Sequence, residues 1–237
     1  MKTIGLIGGL SWESSIEYYR IINETVRTRL GGLHSAQCLM YSFNFAEIEA
    51  LQHEGRWDEA TARMVDAAQR LERGGADFII ICSNTMHKMA GDVEAAVQVP
   101  LLHIADPTAD AIKAQGFQTV GLLATRFTME EDFYKGRLTK QHGLTVLTPN
   151  AAQREQVHRI IYDELCLGVV QEASKAQYQA IIADLAARGA QAVILGCTEI
   201  GLLIKPEDSE LPTFDTTLIH AQAAVDYALT EPMPVSQ

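Results

Sequence analysis

The sequence predicts an α/β protein of two pseudo-symmetric domains, each a central, mostly parallel sheet flanked by helices, with a site between them. Short apolar runs alternate with longer stretches of helical period, the pattern of parallel strands covered on both faces. Two pairs of segments also repeat at nearly the same distance. LERGGADFIIICSNT (Leu71–Thr85) lies over LAARGAQAVILGCTE (Leu185–Glu199) at an offset of 114, and IGLIGG (Ile4–Gly9) over VGLLAT (Val120–Thr125) at an offset of 116. That period is far longer than a solenoid repeat, so it reads as duplication of a domain. The third observation is bulk: 237 residues, 47 % of them hydrophobic, supply a substantial core and exclude a disordered chain.

Taken in order, Lys2–Gly8 (KTIGLIG) reads as a strand, then a Gly-rich turn, then a helix over Ser14–Leu30. Ala36–Ser42 is a second strand, and Trp57–Arg73 a helix. Asp77–Ser83 (DFIIICS) is a buried strand, Leu101–Ile104 a short one, and Thr119–Ala124 another. Helical period covers Met129–Gln141, Arg154–Leu167 and Ser174–Arg188. Ala192–Gly196 and Thr213–Asp215 are strands, Leu218–Leu229 is the last helix, and the tail Thr230–Gln237, with two prolines, is expected to be loose. Trp12, Tyr18 and Tyr19, at helical spacing, are expected to pack the first helix.

Charge narrows the partners. Nineteen Lys and Arg against 30 Asp and Glu leave a net charge of −11, which argues against tracking nucleic-acid phosphates or anionic membranes. No apolar run approaches the roughly 20 residues of a spanning helix. The start, MKTIGLIGGLSWES, has an apolar stretch too short for a signal segment, so a cytoplasmic location is expected. Cys38, Cys82, Cys166 and Cys197 form no C-x-x-C pair, and the seven histidines show no metal-binding spacing, so neither a disulfide framework nor a metal site is expected. The thiols are either buried fillers or reactive groups.

Ligands of parallel sheets bind beyond the carboxyl ends of the strands. Ser83 and Cys197, equivalent in the repeat, both stand where a buried strand gives way to polar residues. If the halves face each other, the two side chains approach one cleft from opposite sides. That geometry suits removal and return of the α-proton of an amino acid: base on one face, acid on the other, with donors at a helix amino terminus to stabilise the carboxylate. A thiol serves either role. Cys82 alternates with Ser83 along the strand and is expected to point into the core. His87 either packs the helix after Ser83 or tunes the site, and His103 and His220 read as hydrogen-bonded core residues. The Gly5-x-x-Gly8-Gly9 turn lacks dinucleotide and P-loop spacing and reads as a close-approach turn lining the cleft.

These residues are also recognisable together. GGLSWESSIEYYR (Gly8–Arg20), SNTMHK (Ser83–Lys88), LLATRFTME (Leu122–Glu130) and GCTEIGLL (Gly196–Leu203) resemble the aspartate/glutamate racemase family, over nearly the whole chain. The GCTE form is similar to the aspartate-racemase branch, where the glutamate branch usually has His after Cys-Thr. The resemblance implies racemisation without pyridoxal phosphate or another cofactor, a small amino-acid substrate, and a homodimer. It implies a discontinuous first domain, residues 1–104 plus 213–237, around a second, 105–212. It makes Cys197 and Ser83 the acid/base pair, with Asn84, Thr85 and Thr198 anchoring the α-carboxylate and Leu10 lining the cleft. Ser83 departs from the family, which usually has Cys there and Thr in some relatives; a hydroxyl is a far poorer base, and no Ser–His pair is evident to activate it. The Arg and Lys that hold a distal carboxylate in aspartate racemases are replaced near Gln52 and near Gly168, which removes the cationic clamp and implies wider side-chain tolerance. Gln52 also reads as a surface amide and Gly168 as a helix carboxyl cap. Two other readings remain: a single-thiol decarboxylase or isomerase of the same superfamily, and a small-ligand-binding protein that catalyses nothing.

Overall fold

The computed structural model describes residues 1–230; the tail expected to be loose lies, from Glu231 on, outside the described residues. Among the described residues, eight strands form two four-stranded sheets with the same order. In the first, β1 (Ile4–Gly8) lies between β2 (Cys38–Ser42) and β3 (Phe78–Ile81), with β4 (Leu101–Leu102) outside β3. In the second, β5 (Thr119–Ala124) lies between β6 (Thr145–Leu147) and β7 (Ala192–Gly196), with β8 (Thr213–Asp215) outside β7. Every pairing is parallel, as crossovers through helices require. The repeats fall on matching strands: Ile4 pairs with Phe78 as Val120 pairs with Ala192. All five residues of β1 and of β7 are buried, which explains their continuous rather than alternating apolar character.

Helices cover both faces of each sheet. On one face of the first, α1 (Trp12–Leu30) buries Tyr18, Ile22 and Val26 against Phe78, Ile80 and Cys82. The last helix, α11 (Thr216–Leu229), returns from the second sheet and adds Ala221, Ala224, Val225 and Ala228 to this layer. On the other face, α2 (Phe45–His53), α3 (Trp57–Arg73) and α4 (Ala90–Ala96) close a core around Ile7, Ile79 and Ile81. Spacing in α3 is regular: Ala60, Met64, Ala67, Ala68 and Leu71 form one apolar stripe. A third core surrounds the second sheet. No helix among the described residues is long and apolar enough to cross a membrane.

Several expectations need correction. The helix expected over Met129–Gln141 is two, α6 (Arg126–Glu130) and α7 (Asp132–Lys140), separated by extended Glu131. The one expected over Arg154–Leu167 ends as α8 (Ala151–Asp163); Glu164 leaves helical geometry and Leu165–Leu167 form a 3-10 turn. The boundary at residue 213 puts β8 in the first domain, yet β8 hydrogen-bonds to β7 and belongs to the second sheet. Trp12 and Tyr19 do not pack the core: both are more than half exposed, and of the three aromatics only Tyr18 is inside. Between α4 and β5 lies α5 (Ala105–Ala114), a helix the sequence pattern did not predict; its Pro107 sits in the first turn, where proline is tolerated because N–H groups there lack partners. The remaining helices, α9 (Glu172–Ala187) and α10 (Ile200–Leu203), follow α8 and β7.

The turn after β1 is a close approach. Gly9 has φ +70, and a Cβ there would meet the backbone N and O of Phe43 at 2.3 Å. Gly9→Ala is therefore expected to lower the unfolding free energy by about 2–4 kcal/mol, through both a disfavoured φ and a backbone clash. A denaturant midpoint within error of the parent would refute this.

Candidate active site

The two lobes meet at the carboxyl ends of their sheets, and four strands each deliver a segment to one cleft. Leu10 follows β1, Ser83–Thr85 follow β3, Thr125 follows β5, and Gly196–Glu199 end and follow β7. The walls are completed by Phe45 and Gln52 from α2, Ile161 and Tyr162 from α8, and Cys166 from the 3-10 turn after α8. The cleft has about 350 Å³ of atom-free space, counting its mouth. Among the described residues its lining contains no Lys, Arg or His, and its only carboxyl is Glu199.

Ser83 is fixed by the turn it opens. Its Oγ accepts a long bond from the Met86 backbone N–H at 3.4 Å, and its carbonyl accepts from His87 Nδ1 at 2.7 Å. The other ring nitrogen of His87, Nε2, accepts from the Ile104 N–H at 3.2 Å, which settles the tautomer. His87 thus holds the backbone of Ser83 rather than its hydroxyl. Cys82 faces away, fully buried against α1 and α11, and burial pushes its thiol far above the ordinary range.

Asn84 is oriented by a chain of donors. The Thr216 hydroxyl donates to the Leu195 carbonyl at 2.9 Å, so its oxygen is left to accept from Asn84 Nδ2 at 3.0 Å. Asn84 Oδ1 is buried without a partner among the described residues, a free acceptor on a cleft-lining residue. Thr85 Oγ1 lies 2.8 Å from Thr125 Oγ1 and 3.3 Å from Thr128 Oγ1, a hydroxyl cluster joining the lobes. Gln52 is engaged on both atoms: Oε1 accepts from the Tyr162 hydroxyl across the cleft at 2.8 Å, and Nε2 donates to Met86 Sδ at 3.1 Å.

Cys197 stands just beyond β7, 9 % exposed. Its Sγ–H donates to Glu199 Oε2 at 2.9 Å, the Thr198 hydroxyl donates to the same oxygen at 2.6 Å, and Ser11 from the first lobe donates to Oε1. Burial, and secondarily the Glu199 carboxyl, push the Cys197 thiol well above the ordinary thiol range, so it rests protonated.

Of the residues singled out in the sequence, Leu10, Gln52, Ser83, Asn84, Thr85, Cys197 and Thr198 line this cleft, and Gly168 does not. Gly168 is exposed and takes the left-handed conformation, φ +70, that caps the 3-10 turn; its neighbour Cys166 reaches the cleft instead. Sequence reasoning assigned no role to Phe45, Tyr162, Cys166 or Glu199. Glu199 had a signal, its place within GCTE, but Tyr162 and Phe45 carry none beyond ordinary helix patterning.

Behind Ser83 the three imidazoles of His87, His103 and His220 cluster, all buried. His220 bridges the Tyr18 hydroxyl and the Leu102 carbonyl, both at 2.9 Å. Burial lowers all three, His103 to about 3 and His220 to about 4. An unfolded imidazole binds a proton below about pH 6.5, so in this window the unfolded state holds more protons and stability rises with pH. Stability is therefore expected to be full above about pH 6.5 and to fall below it, by up to roughly 1.4 kcal/mol per pH unit for each imidazole. Urea midpoints at pH 7.5, 6 and 5 check this; a flat profile would contradict it.

A two-lobed α/β chain with a thiol and a hydroxyl at equivalent strand ends has the constellation of proton-transferring isomerases. The chain belongs to the Asp/Glu/hydantoin racemase family, whose profile matches residues 7–224. It is 26 % identical over 172 residues, 71 % of this chain and 72 % of the relative, to the broad specificity amino-acid racemase RacX of Bacillus subtilis strain 168. Among solved structures it is similar to a candidate Asp/Glu racemase from Yersinia pestis, at 56 % identity and TM-score 0.90 over 97 % of this chain and 100 % of that one. An aspartate racemase homologue from Pyrococcus horikoshii OT3 is 36 % identical with TM-score 0.83, over 96 % and 99 % of the two chains.

Proposed function

We propose that the protein is an amino-acid racemase that needs no cofactor, with the α-carbon of its substrate held between Cys197 and Ser83. The observation that carries this is that equivalent residues of the repeat, one a thiol and one a hydroxyl, line a single cleft. The backbone N–H groups of Asn84 and Thr198 have no acceptor among the described residues, one from each lobe, and they receive the α-carboxylate. The free Asn84 Oδ1 and the Thr198 oxygen, whose proton goes to Glu199, accept from the α-ammonium. This refines the roles expected from the resemblance, in which the side chains themselves hold the carboxylate. Thr85 serves through the hydroxyl cluster joining the lobes. The side chain of the substrate meets Leu10, Phe45, Gln52, Ile161, Tyr162 and Cys166, an uncharged wall that suits broad specificity better than a dedicated carboxylate clamp. The domain division at 1–104 and 105–212 stays part of this reading, with β8 reassigned.

Enantiomers are equal in free energy, so kcat/KM must be the same in the two directions whatever the residues. Asymmetry between thiol and hydroxyl therefore shows in isotope exchange. In heavy water, the enantiomer whose α-hydrogen faces Cys197 is expected to gain deuterium faster than it inverts, and its mirror image to exchange more slowly. Equal exchange from both would contradict the assignment, exchange without any inversion would favour the single-thiol alternative, and exchange from neither, across a panel of amino acids, would leave a binding protein.

We also propose a homodimer. Trp12, Ile16 and Tyr19, spaced along one face of α1, are each more than half exposed, an apolar stripe that favours burial. Ile16→Glu with Tyr19→Glu is expected to shift sedimentation from dimer to monomer; an unchanged coefficient would move the interface elsewhere.

A further inference from the structure

A thiol that rests protonated is an acid, and the proposed reaction also requires it to be a base. The neighbours of Cys197 contain one group able to resolve this. Glu199 is 2 % exposed, and its two oxygens receive three donors: Cys197 Sγ–H at 2.9 Å, the Thr198 hydroxyl at 2.6 Å and the Ser11 hydroxyl. Among the described residues no Lys, Arg or His lines the cleft to hold a free thiolate, and the ionisable group in contact with the sulfur is this carboxyl. The Ser11 contact adds a structural constraint. Ser11 caps α1 through its Ser14 N–H contact at 3.4 Å, so the carboxyl is held from the first lobe while it touches the thiol of the second.

We propose that Glu199 acts through Cys197 as the acceptor of its thiol proton, converting a resting thiol into the base of the reaction without a stable thiolate. This rests on the racemase reading for its substrate but not for its proton. As the Cα–H bond breaks, its electron pair stays on the α-carbon, delocalised into the substrate carboxylate, and its proton goes to Sγ. In the same step the original S–H proton passes to Glu199 Oε2, so sulfur ends as a thiol and the carboxylate as a carboxylic acid. The opposite face of the carbanion takes its proton from the Ser83 hydroxyl. Water then carries the Glu199 proton to the Ser83 alkoxide, and all groups return to their starting forms. Glu199 is a positioning and proton-holding residue in this scheme, since it reaches the substrate only through Cys197.

The test uses the full-length protein and two readouts. The first is α-proton exchange in heavy water with the preferred amino acid. The second is the pH dependence of Cys197 alkylation by iodoacetamide, followed by peptide mass spectrometry so that Cys38, Cys82 and Cys166 do not interfere. Glu199→Gln keeps the shape but can neither hold a negative charge nor take the proton. It is expected to slow exchange by at least about a hundredfold while moving the Cys197 alkylation midpoint down by roughly one pH unit or more, because the negative neighbour is gone. A merely structural loss would slow exchange without making the thiol easier to ionise. Glu199→Asp is expected to recover at least tenfold of the exchange and the high midpoint. Exchange within threefold of the parent in Glu199→Gln, or an unmoved midpoint, overturns the proposal. If neither variant folds, difference infrared spectra of the parent against Cys197→Ala decide: a carboxyl band that shifts on loss of the thiol donor supports the proposal, and an unshifted band overturns it. If the parent exchanges no amino acid but the midpoint still drops in Glu199→Gln, the racemase reading fails and the Cys197–Glu199 pairing stands.

Discussion

Cys197→Ala is expected to reduce inversion of both enantiomers, and α-proton exchange of the enantiomer that faces residue 197, by about 10³–10⁴-fold, with little effect on stability. The loss of inversion is bilateral because racemisation needs a base on one face and an acid on the other, and Cys197 alternates between the two according to direction. Its partner, Ser83, has no imidazole on its hydroxyl: His87 is engaged with the Ser83 carbonyl and the Ile104 N–H. Burial and nearby carboxyls push the other cleft thiol, Cys166, far above the ordinary thiol range, so among the described residues no cleft group replaces the missing sulfur. The stability cost is small because the thiol stands where the core of the second lobe borders the cleft, so removing sulfur enlarges an existing space. Deuterium incorporation followed by NMR checks the first statement and a denaturant midpoint the second. A protein that only binds a small ligand would retain its ligand affinity in this variant, and retained exchange would remove Cys197 from the chemistry altogether.

How far the sequence alone leads to this cleft follows from physical distance along the chain. The buried strands were legible because parallel strands covered on both faces are continuously apolar, and Ile4–Gly8, Phe78–Ile81 and Ala192–Gly196 are buried from end to end. Their carboxyl ends position Leu10, Ser83–Thr85 and Cys197–Thr198, so these cleft residues follow from strand position and the internal repeat. The far wall does not. Gln52 and Phe45 come from α2, a nine-residue helix too short for its period to stand out, and Tyr162 and Cys166 depend on where α8 stops. Read as a continuous helix to Leu167, that segment gives no reason to turn Cys166 toward the cleft. The break at Glu164 does so, and it leaves Gly168 as an exposed cap. Trp12 and Tyr19 show the converse: helical spacing identifies a face, but not whether that face meets the core, solvent or another molecule.

Ser83→Cys tests the opposite flank and is expected to accelerate inversion. A thiol gives up and takes a proton far more readily than a hydroxyl in the same surroundings, so the side chain facing the slow enantiomer becomes a better base and a better acid. Equal energies of the enantiomers then impose a specific signature. Since kcat/KM must rise equally in both directions, the gain cannot be confined to the enantiomer that faces residue 83; it appears in both as faster inversion, by about 10–10²-fold. The excess of exchange over inversion should shrink at the same time, because the carbanion now meets a ready proton donor on its second face. Local structure permits the change. Ser83 lines the cleft, its Oγ has only the long 3.4 Å contact with the Met86 N–H to lose, and the His87 bond to its carbonyl is independent of the side chain. Chiral chromatography gives the inversion rate and mass spectrometry the exchange rate in the same samples. Faster exchange with no faster inversion would mean that residue 83 does not face the α-carbon opposite Cys197, and the pairing of the two strand ends over one carbon would have to be abandoned.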